Sequence, residues 1–594
     1  MSPNAGLKLT ALRAELARQG VAGFIVPRAD EHLGEYVPAS AERLAWLTGF
    51  TGSAGLAVVL ADRAAVFTDG RYVLQLAEQA DAPLWEHRHI TETPPPEWLA
   101  SHAPGAAIGY DPLLIGEDAL ARYTDAGLHM RPLANNPIDA VWVDRPAPPA
   151  FAAVPHPLAF AGRSAADKRA DIAAILRAGG QDAAVITDPA SLAWLLNIRG
   201  ADVPFTPFAL GFAIIHADGR VELFMNPDKL PQATRDWLGN GVAIASRDEL
   251  APALARLAGL VVRVDGQGSP VWFAQTLRAA GAKVAAAPDP CLLPKACKND
   301  VERQGFRNAH ARDAMAVCRF LHFLSREAGS GNLTEMSAAA ELLALRNTVT
   351  NFRGESFPAI SGAGEHGAII HYRVSEATDR RLLPNEVYLI DSGAQYLDGT
   401  TDITRTIWTG PGTPPDELRE RFTRVLQGHI ALATAVFPQG LTGAHLDGFA
   451  RRALWQAGLD YDHGTGHGVG CYLSVHEGPV SISRATRPVA IAAGMVLSNE
   501  PGCYFPGQYG IRLENLLLVQ PAALPGASKP FLSFETLTFA PFDRQLLAPG
   551  LLQADEIAWL DFYHARVVRE VAPHLPPETA AWLADRCRPV NVYA

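Results

Sequence analysis

Four acidic residues flank two predicted turns in the second half of this 594-residue chain. Asp391 and Asp402 lie on either side of a turn at residues 396–399, and Glu500 and Glu514 enclose the segment PGCYFPGQYG. The prolines and glycines of that segment are typical of the bend of a hairpin. A chain that folds back at this bend places the two glutamates opposite each other, and the first turn does nearly the same for the two aspartates. The sequence therefore predicts two hairpins that present four carboxylates.

A glycine-rich segment, HGTGHGVG, adds an imidazole, that of His467. Its alternating glycines disfavour a helix and allow the backbone to pass close to a bound group. Acidic residues near turns are usually solvated, but Asp391 follows the apolar run VYLI and Glu514 lies just before the apolar run LLLV. Buried carboxylates need a compensating cation. Because about four positive charges match four carboxylates, these residues predict a site for two divalent metal ions.

The whole chain resembles aminopeptidase P in its long, three-domain cytosolic form, a member of the pita-bread metallopeptidase superfamily. The similarity extends from GFIVPRADEH near the N-terminus to the C-terminal segment. The family's five metal ligands match, in type and order, Asp391, Asp402, His467, Glu500 and Glu514. Its three site histidines match His371 in GAIIHY, His463 in HGTGH and His476 in VHEGP. One departure, Ser498-Asn499 where some relatives carry Thr-Asp, leaves the following ligand unchanged.

This resemblance implies a role for each of the five ligands. Asp402 and Glu514 would bridge the two ions, Asp391 would complete one ion, and His467 and Glu500 would complete the other. The oxygen-rich ligand set itself favours manganese (Mn²⁺), with Co²⁺ or Zn²⁺ as alternatives. A water bound to both ions loses a proton near neutral pH and becomes the nucleophile. Glu500 is the expected acceptor of that proton.

Four further residues are expected near the metals. By resemblance, His371, His463 and His476 line the substrate cleft, where they hold the scissile carbonyl, stabilise the tetrahedral intermediate and help to protonate the leaving nitrogen. Arg512 alternates with Glu514 on a predicted strand, so both side chains project to one face. Arg512 either orients that carboxylate from behind the metal site or forms a surface ion pair, and the sequence leaves both readings open.

The composition describes an ordinary globular protein, with 48% apolar and 19% charged residues. A net charge of −11 argues against nucleic acid or an anionic membrane as a partner. The segment MSPNAGLKLTALRAELARQG predicts an amphipathic helix without the apolar centre of a signal peptide, and no apolar run is long enough to span a membrane. Cysteines are absent before Cys291, unlike in disulfide-built secreted proteins. We therefore expect a cytoplasmic protein.

Proline-rich segments divide the chain into three predicted domains. Residues 1–154 alternate strand-like and helical segments, which indicates an α/β layer, and the stiff segment RPAPPAFAAVPHP leads to residues 155–296. The motif LAWL occurs at 44–47 and again at 192–195, each time before a similar order of loop, strand and Asp-Gly. The second domain is therefore predicted to duplicate the first. Residues 297–594 predict helices on one face of a curved antiparallel sheet, an α+β arrangement.

The resemblance describes these domains as two related creatinase-like α/β domains and a C-terminal pita-bread catalytic domain. It implies that the first two domains shape the mouth of the site and pair subunits into a homodimer. Within the catalytic domain, the pattern predicts strands at FPAISG, AIIHYR, EVYLIDSG and TDITRTIW, and a final amphipathic helix from Ala554 to Val571.

The leading functional hypothesis is a metallo-aminopeptidase that releases the first residue of peptides with proline in second position (Xaa-Pro-Yaa). A prolidase, which cuts Xaa-Pro dipeptides, shares the five ligands and is the principal alternative. Methionine aminopeptidases share them too but lack two preceding domains of this size. A non-catalytic peptide- or histone-binding relative, or a metal-free creatinase, is disfavoured because all five ligands are present here.

Overall fold

The computed structural model describes residues 5–485 and 487–590 of a chain that forms two compact units. The first unit comprises Met1–Leu158 and Arg163–Leu292, and the second comprises Ala159–Gly162 and Leu293–Ala594. Among the helices described, none combines the length and the apolar character needed to cross a membrane.

The first unit contains two six-stranded sheets with the same topology. In each sheet the strands lie in the order fourth, third, second, first, fifth, sixth. In each, the first strand is antiparallel to the second and parallel to the fifth. The strands of the first sheet are Gly23–Pro27, Leu56–Leu60, Ala64–Thr68, Glu86–His89, Ala107–Tyr110 and His129–Pro132. Those of the second sheet are Ala183–Ile186, Phe212–His216, Val221–Phe224, Val242–Ala245, Val261–Val264 and Lys283–Ala286.

The two LAWL segments occupy equivalent places in these sheets. The first lies in helix Arg43–Thr48 and the second in helix Pro189–Leu196, and each helix follows the first strand of its sheet. The shared topology supports the duplication that the repeated motif predicts. The N-terminal helix, Ala5–Gln19, buries Leu9, Leu12 and Leu16, the apolar stripe expected from the sequence. Further helices between residues 73 and 279 are Val73–Gln79, Pro95–His102, Glu117–Asp125, Pro137–Val141, Leu158–Ala161, Ala165–Ala178, Gln232–Leu238, Leu250–Ala255 and Val271–Ala279.

A long helix, Asp300–Glu327, opens the helical layer of the second unit. Asn299 caps its first turn, because its side chain accepts hydrogen bonds from the backbone N–H groups of Val301 and Glu302. Of the apolar residues along this helix, Val301 in the first turn is exposed, whereas Phe306, Ala309, Ala316 and Phe320 are buried. The other helices of this half are Leu292–Ala296, Glu335–Arg346, Asp416–Ala433, Gly443–Trp455, Ala554–Val571 and Pro577–Arg586.

These helices share apolar cores with antiparallel strands. One core joins Cys318, Phe422 and Val567 from three helices to Trp408 and Ile511 from two strands. The strands of the second unit are Phe352–Glu355, Ile360–Ala363, Val387–Ser392, Ala394–Tyr396, Gly399–Thr400, Ile403–Trp408, Phe437–Pro438, Gly466–Gly468, Glu477–Ile482, Val496–Asn499, Gly502–Phe505, Tyr509–Arg512, Asn515–Ala522 and Phe531–Thr536.

The strand predicted at AIIHYR does not form. Residues Gly364–Ala368 are instead a 3-10 helix, and His371 follows in a loop. Gly364 has a φ of +53°, which glycine adopts without strain, and it turns the chain out of strand Ile360–Ala363. The apolar residues Ile369 and Ile370 then follow a turn rather than a neighbouring strand, so their pattern alone was misleading.

Candidate metal centre

The first predicted hairpin positions the two aspartates. Strand Val387–Ser392 pairs antiparallel with strand Ile403–Trp408, and Asp391 lies opposite Thr404. Asp402 comes immediately before the second of these strands. Both aspartates are buried.

The second predicted hairpin positions the two glutamates and is joined to the first. Strand Gly502–Phe505 pairs with strand Tyr509–Arg512, with Gly502 opposite Arg512, so Glu500 and Glu514 flank the paired strands symmetrically. The backbone N–H of Glu514 donates to the carbonyl of Thr404 at 3.1 Å. The hydroxyl of Thr404 donates to Glu514 Oε2 at 2.7 Å. Thr404 therefore fixes both the backbone and the carboxylate of Glu514 beside the aspartate hairpin.

The glycine-rich segment brings His467 to the carboxylates. His467 lies on strand Gly466–Gly468, where a Cβ on Gly466 would stand 2.0 Å from the carbonyl oxygen of Ser498. Only glycine allows this approach. His467 Nε2 lies 3.4 Å from Asp402 Oδ2 and 3.6 Å from Glu500 Oε1. Its Nδ1 lies 2.9 Å from the carbonyl oxygen of Gly468, which can only accept, so Nδ1 carries a hydrogen and Nε2 is the atom available to a metal.

Short distances bring together four of the five predicted ligands, Asp402, His467, Glu500 and Glu514, and Asp391 lies near enough for its charge to interact with those of Asp402 and Glu500. One potential ligand atom from each of Asp402, His467 and Glu514 lies within 4.8 Å of the other two. Glu500 joins them through its contact with His467, and its Oε1 accepts a hydrogen bond from the Ser498 hydroxyl at 3.1 Å. The side chains of His467 and Glu500 keep about one fifth of their surface exposed, whereas that of Asp402 keeps 5%. Solvent therefore reaches the cluster at its His467–Glu500 edge.

The electrostatics of the cluster are those of crowded, buried negative charge. Burial raises the pKa of Asp391 to about 6, with the charges of Asp402 and Glu500 adding to the rise and Arg512 opposing it. Burial and the neighbouring carboxylates also raise the pKa of Glu514 well above its usual range. Burial lowers the pKa of His467, but its contact with Asp402 and the charge of Glu500 outweigh that effect and raise it to about 9. Added positive charge would stabilise such a group of side chains.

Arg512 contacts a different carboxylate from the one expected. Its Nη2 donates to Asp391 Oδ2 at 2.7 Å, and its Nε donates to the Thr404 hydroxyl at 3.2 Å. It reaches Glu514 only through Thr404. Both Arg512 and Glu514 contact the Thr404 hydroxyl, as expected if they project to the same side, but the carboxylate that the guanidinium holds lies on another strand. Arg512 is 2% exposed, which excludes a surface ion pair.

Two of the three predicted site histidines lie beside the cluster. His463 Nδ1 is 4.0 Å from Glu500 Oε2, and the ring of His476 stands edge-on to the ring of His467 with centroids 4.4 Å apart. His371 is half-buried in the loop that follows the 3-10 helix. That 3-10 helix packs on the glutamate hairpin, because a Cβ on Gly510 would stand 1.8 Å from the carbonyl oxygen of Gly367.

Tyr504 is a site residue that the sequence reasoning missed. Its hydroxyl accepts a hydrogen bond from Arg512 Nη1 at 2.8 Å and lies 2.8 Å from His463 Nε2. Because the guanidinium can only donate, the single hydroxyl hydrogen is available to His463. A signal existed: Tyr504 and Gly502 alternate on one strand, and Gly502 lies opposite Arg512, so Tyr504 and Arg512 share a face.

Comparison with known proteins places the chain among metallopeptidases with two preceding domains. The model of metallopeptidase family M24 matches residues 304–521, and that of the C-terminal region of peptidase M24 matches residues 530–590. Two models of a creatinase/prolidase N-terminal domain match residues 8–126 and 144–302.

Similar full-length proteins carry a more particular name. Aminopeptidase P2 of Arabidopsis thaliana is 39% identical in an alignment that covers 98% of this chain and 88% of that protein. A probable Xaa-Pro aminopeptidase P of Laccaria bicolor is 38% identical over 98% of this chain and 93% of its own length. A solved structure of X-prolyl aminopeptidase from Caenorhabditis elegans, described as a cytosolic enzyme with a di-nuclear active site, matches with a TM-score of 0.93. It is 34% identical and covers 99% of this chain and 100% of that one.

The second unit carries a cluster of carboxylates and an imidazole, and two sheets of equal topology precede it in the chain. These features define the class of M24 metallopeptidases that have two N-terminal domains before the catalytic domain. The chain belongs to metallopeptidase family M24 and, within it, to the group of the long aminopeptidases P. The predicted resemblance, the fold class and the assignment to the hydrolases are thereby confirmed.

Proposed function

We propose that this protein is a metal-dependent aminopeptidase that releases the N-terminal residue from peptides with proline in second position. The observation that carries the proposal is the group of carboxylates on two joined hairpins beside the imidazole of His467, in a chain that matches aminopeptidases P along nearly its whole length. A prolidase uses the same kind of set, so the substrate experiment below also tests that alternative.

The donor set fits two divalent cations. Asp391 Oδ1 is buried and has no hydrogen-bond partner among the described residues, which leaves a free acceptor in the cluster. Burial and, to a lesser extent, the neighbouring carboxylates raise the pKa values of Asp391, Glu500 and Glu514, and bound cations would favour their charged forms. By resemblance, Asp402 and Glu514 would hold both ions, Asp391 would hold one, and His467 and Glu500 would hold the other. The oxygen-rich set favours Mn²⁺, with Co²⁺ or Zn²⁺ as alternatives.

When bound, the two cations supply the positive charge that activates water and polarises the scissile carbonyl. The chain's own residues do the rest. Glu500 holds a proton at the exposed edge of the cluster, where the Ser498 hydroxyl orients its Oε1 and leaves Oε2 facing His463. Arg512 and Thr404 hold the Asp391 and Glu514 carboxylates in place.

The three histidines are assigned to the peptide rather than to the ions. His463 and His476 flank the His467–Glu500 edge, where a scissile carbonyl and its leaving nitrogen can reach both carboxylate and imidazole. His371 completes the set from its loop. Hydrogen bonds from these rings would stabilise the developing oxyanion and return a proton to the leaving nitrogen.

The partners and the location are part of the same proposal. The described similarity to a cytosolic enzyme supports a cytoplasmic protein. A homodimer paired through the first two domains, which the resemblance to aminopeptidase P implies, is also part of the proposal. We also propose domain boundaries after residues 154 and 296. The family models support them, because the first N-terminal model ends at residue 126, the second covers residues 144–302, and the peptidase model begins at residue 304. Peptides are the expected partners, without nucleic acid or membrane.

Three matched peptides test the function. The protein, loaded with Mn²⁺, is incubated with Xaa-Pro, Xaa-Pro-Yaa and Xaa-Ala-Yaa, and the free first residue is quantified. We expect rapid release from Xaa-Pro-Yaa and slow release from the other two. Preference for the dipeptide would identify a prolidase, and preference for alanine in second position would reject recognition of proline.

A further inference from the structure

Glu335 is a fully buried carboxylate outside the five candidate ligands. It is the first residue of helix Glu335–Arg346, and its side chain is 0% exposed. Among the described residues, no lysine or arginine side chain forms an ion pair with it. A carboxylate buried in this way is costly unless hydrogen-bond donors surround it. Those donors show what the carboxylate holds in place.

All of its donors come from one segment, residues 363–380. The backbone N–H of Ala363 donates at 2.7 Å, and the Tyr372 hydroxyl donates at 3.0 Å. His366 Nδ1 lies 2.9 and 3.0 Å from the two carboxylate oxygens. The backbone N–H of Arg380 makes a longer contact of 3.4 Å. One carboxylate therefore gathers the start, the middle and the end of a single loop.

The backbone beside Glu335 closes the same loop. The N–H of Glu335 donates to the carbonyl of Arg380 at 3.0 Å, and the N–H of Leu382 donates to the carbonyl of Leu333 at 2.8 Å. The Ser361 hydroxyl donates to the carbonyl of Glu335 at 2.7 Å. The end of one strand, the start of one helix and the return of the loop therefore meet at Glu335.

His371 lies in this loop, directly before Tyr372. The Tyr372 ring also packs on the His366 ring, with centroids 4.5 Å apart, so the two anchors support each other. On its other side the loop is in close contact with the glutamate hairpin, where Gly367 approaches Gly510. The loop is thus held between Glu335 and the hairpin that leads to Glu514.

We propose that Glu335 is a positioning residue for His371, acting through His366 and Tyr372 and not through contact with substrate. The inference rests on the catalytic role proposed above for His371. The substitution Glu335→Gln leaves a side chain that cannot accept hydrogen bonds from all of these donors, so the His366 and Tyr372 side chains lose their fixed anchor. A displacement of about 1 Å in a reacting group costs on the order of 10²-fold in rate, so kcat should fall more than KM rises.

A kinetic cycle tests this coupling with four proteins: the parent, Glu335→Gln, His371→Ala and the double variant. We expect Glu335→Gln to lower kcat about 10- to 100-fold with bound metal unchanged. In the His371→Ala background the same substitution should change kcat less than about twofold, because residues that act as a unit are not additive. Tyr372→Phe should give the same pattern with a milder loss, and it replaces Glu335→Gln in the cycle if that variant does not fold.

Glu376→Gln is the matched control. It removes the same charge from an exposed position of the same loop and should leave kcat within about twofold of the parent. Equal losses from Glu335→Gln in both backgrounds would overturn the proposal, as would unchanged kcat in both Glu335→Gln and Tyr372→Phe. Full activity of His371→Ala would overturn it together with the catalytic role of His371. A parent that leaves Xaa-Pro-Yaa intact would refute the proposed function itself.

Discussion

The carboxylate hairpins and the histidine-bearing segments of the second unit are held in place by different means. Asp391, Asp402, Glu500 and Glu514 stand on or beside paired strands, and a backbone hydrogen bond from Glu514 to Thr404 ties the two hairpins together. The register of the paired strands therefore sets the positions of the four carboxylates.

His371 and His463, which lie outside the proposed ligand set, depend on a few side chains instead. His463 is held by the Tyr504 hydroxyl, and the loop of His371 is anchored on Glu335. We therefore expect changes in the paired strands that carry the carboxylates and His467 to affect metal content, and changes around His371, His463 and His476 to affect turnover at constant metal. The predictions below test this separation.

The largest effects are expected from the ligands. Asp402→Asn and His467→Ala should each abolish activity and lower bound metal without unfolding the protein, because the hairpins keep their strand pairing. Asp402 is proposed to contact both ions and His467 only one, so the asparagine variant should lose more metal. Metal per chain after dialysis, together with circular dichroism, measures this. Full metal content in either variant would contradict the ligand assignment.

Turnover should fall at constant metal when the histidines are changed. His371→Ala and His476→Ala are expected to retain both ions and to lose on the order of 10²–10³ in kcat, the usual cost of a lost transition-state hydrogen bond. Steady-state kinetics and metal analysis of the same samples provide the comparison. Activity near that of the parent in both variants would show that these two histidines do not take part in catalysis. Loss of metal in either variant would show that these residues also support metal binding, contrary to the proposed separation.

Prediction from the sequence succeeded for the carboxylate hairpins and failed for the loop that carries His371. Both hairpins were predictable because proline, glycine and alternating apolar residues act locally, and the LAWL repeat anticipated two sheets of equal topology. The loop of His371 was predicted as a strand, because an apolar run does not reveal whether a partner strand exists. The contact of Arg512 with Asp391 was missed for a related reason: it joins strands more than a hundred residues apart in sequence, and no local pattern specifies that pairing.

Arg512 belongs to the hairpin side of the comparison, with an intermediate effect. Arg512→Lys keeps the charge but cannot reproduce the three separate hydrogen bonds to Asp391, Thr404 and Tyr504. We expect metal affinity to fall about 10- to 100-fold, as is typical when a supporting partner of a ligand is lost. Isothermal titration calorimetry of the metal-free protein with Mn²⁺ measures the change in affinity. An unchanged affinity would mean that the hydrogen bond from Arg512 to Asp391 does not support metal binding.

The smallest effect is expected from Tyr504→Phe, and it probes the point where the two regions meet. The hydroxyl accepts from Arg512 and is available to donate to His463 Nε2, so it connects a ligand support to a proposed catalytic ring. Its loss leaves Arg512 with its bonds to Asp391 and Thr404, and metal affinity should therefore change little. His463 loses one neutral hydrogen bond of about 1 kcal/mol, so kcat should fall roughly fivefold. Parallel measurement of kcat and Mn²⁺ affinity distinguishes the outcomes. A tenfold lower Mn²⁺ affinity with unchanged kcat would instead mean that Tyr504 supports the metal ligands. Tyr504 would then belong with the residues that position the carboxylates and not with those that position the histidines outside the ligand set.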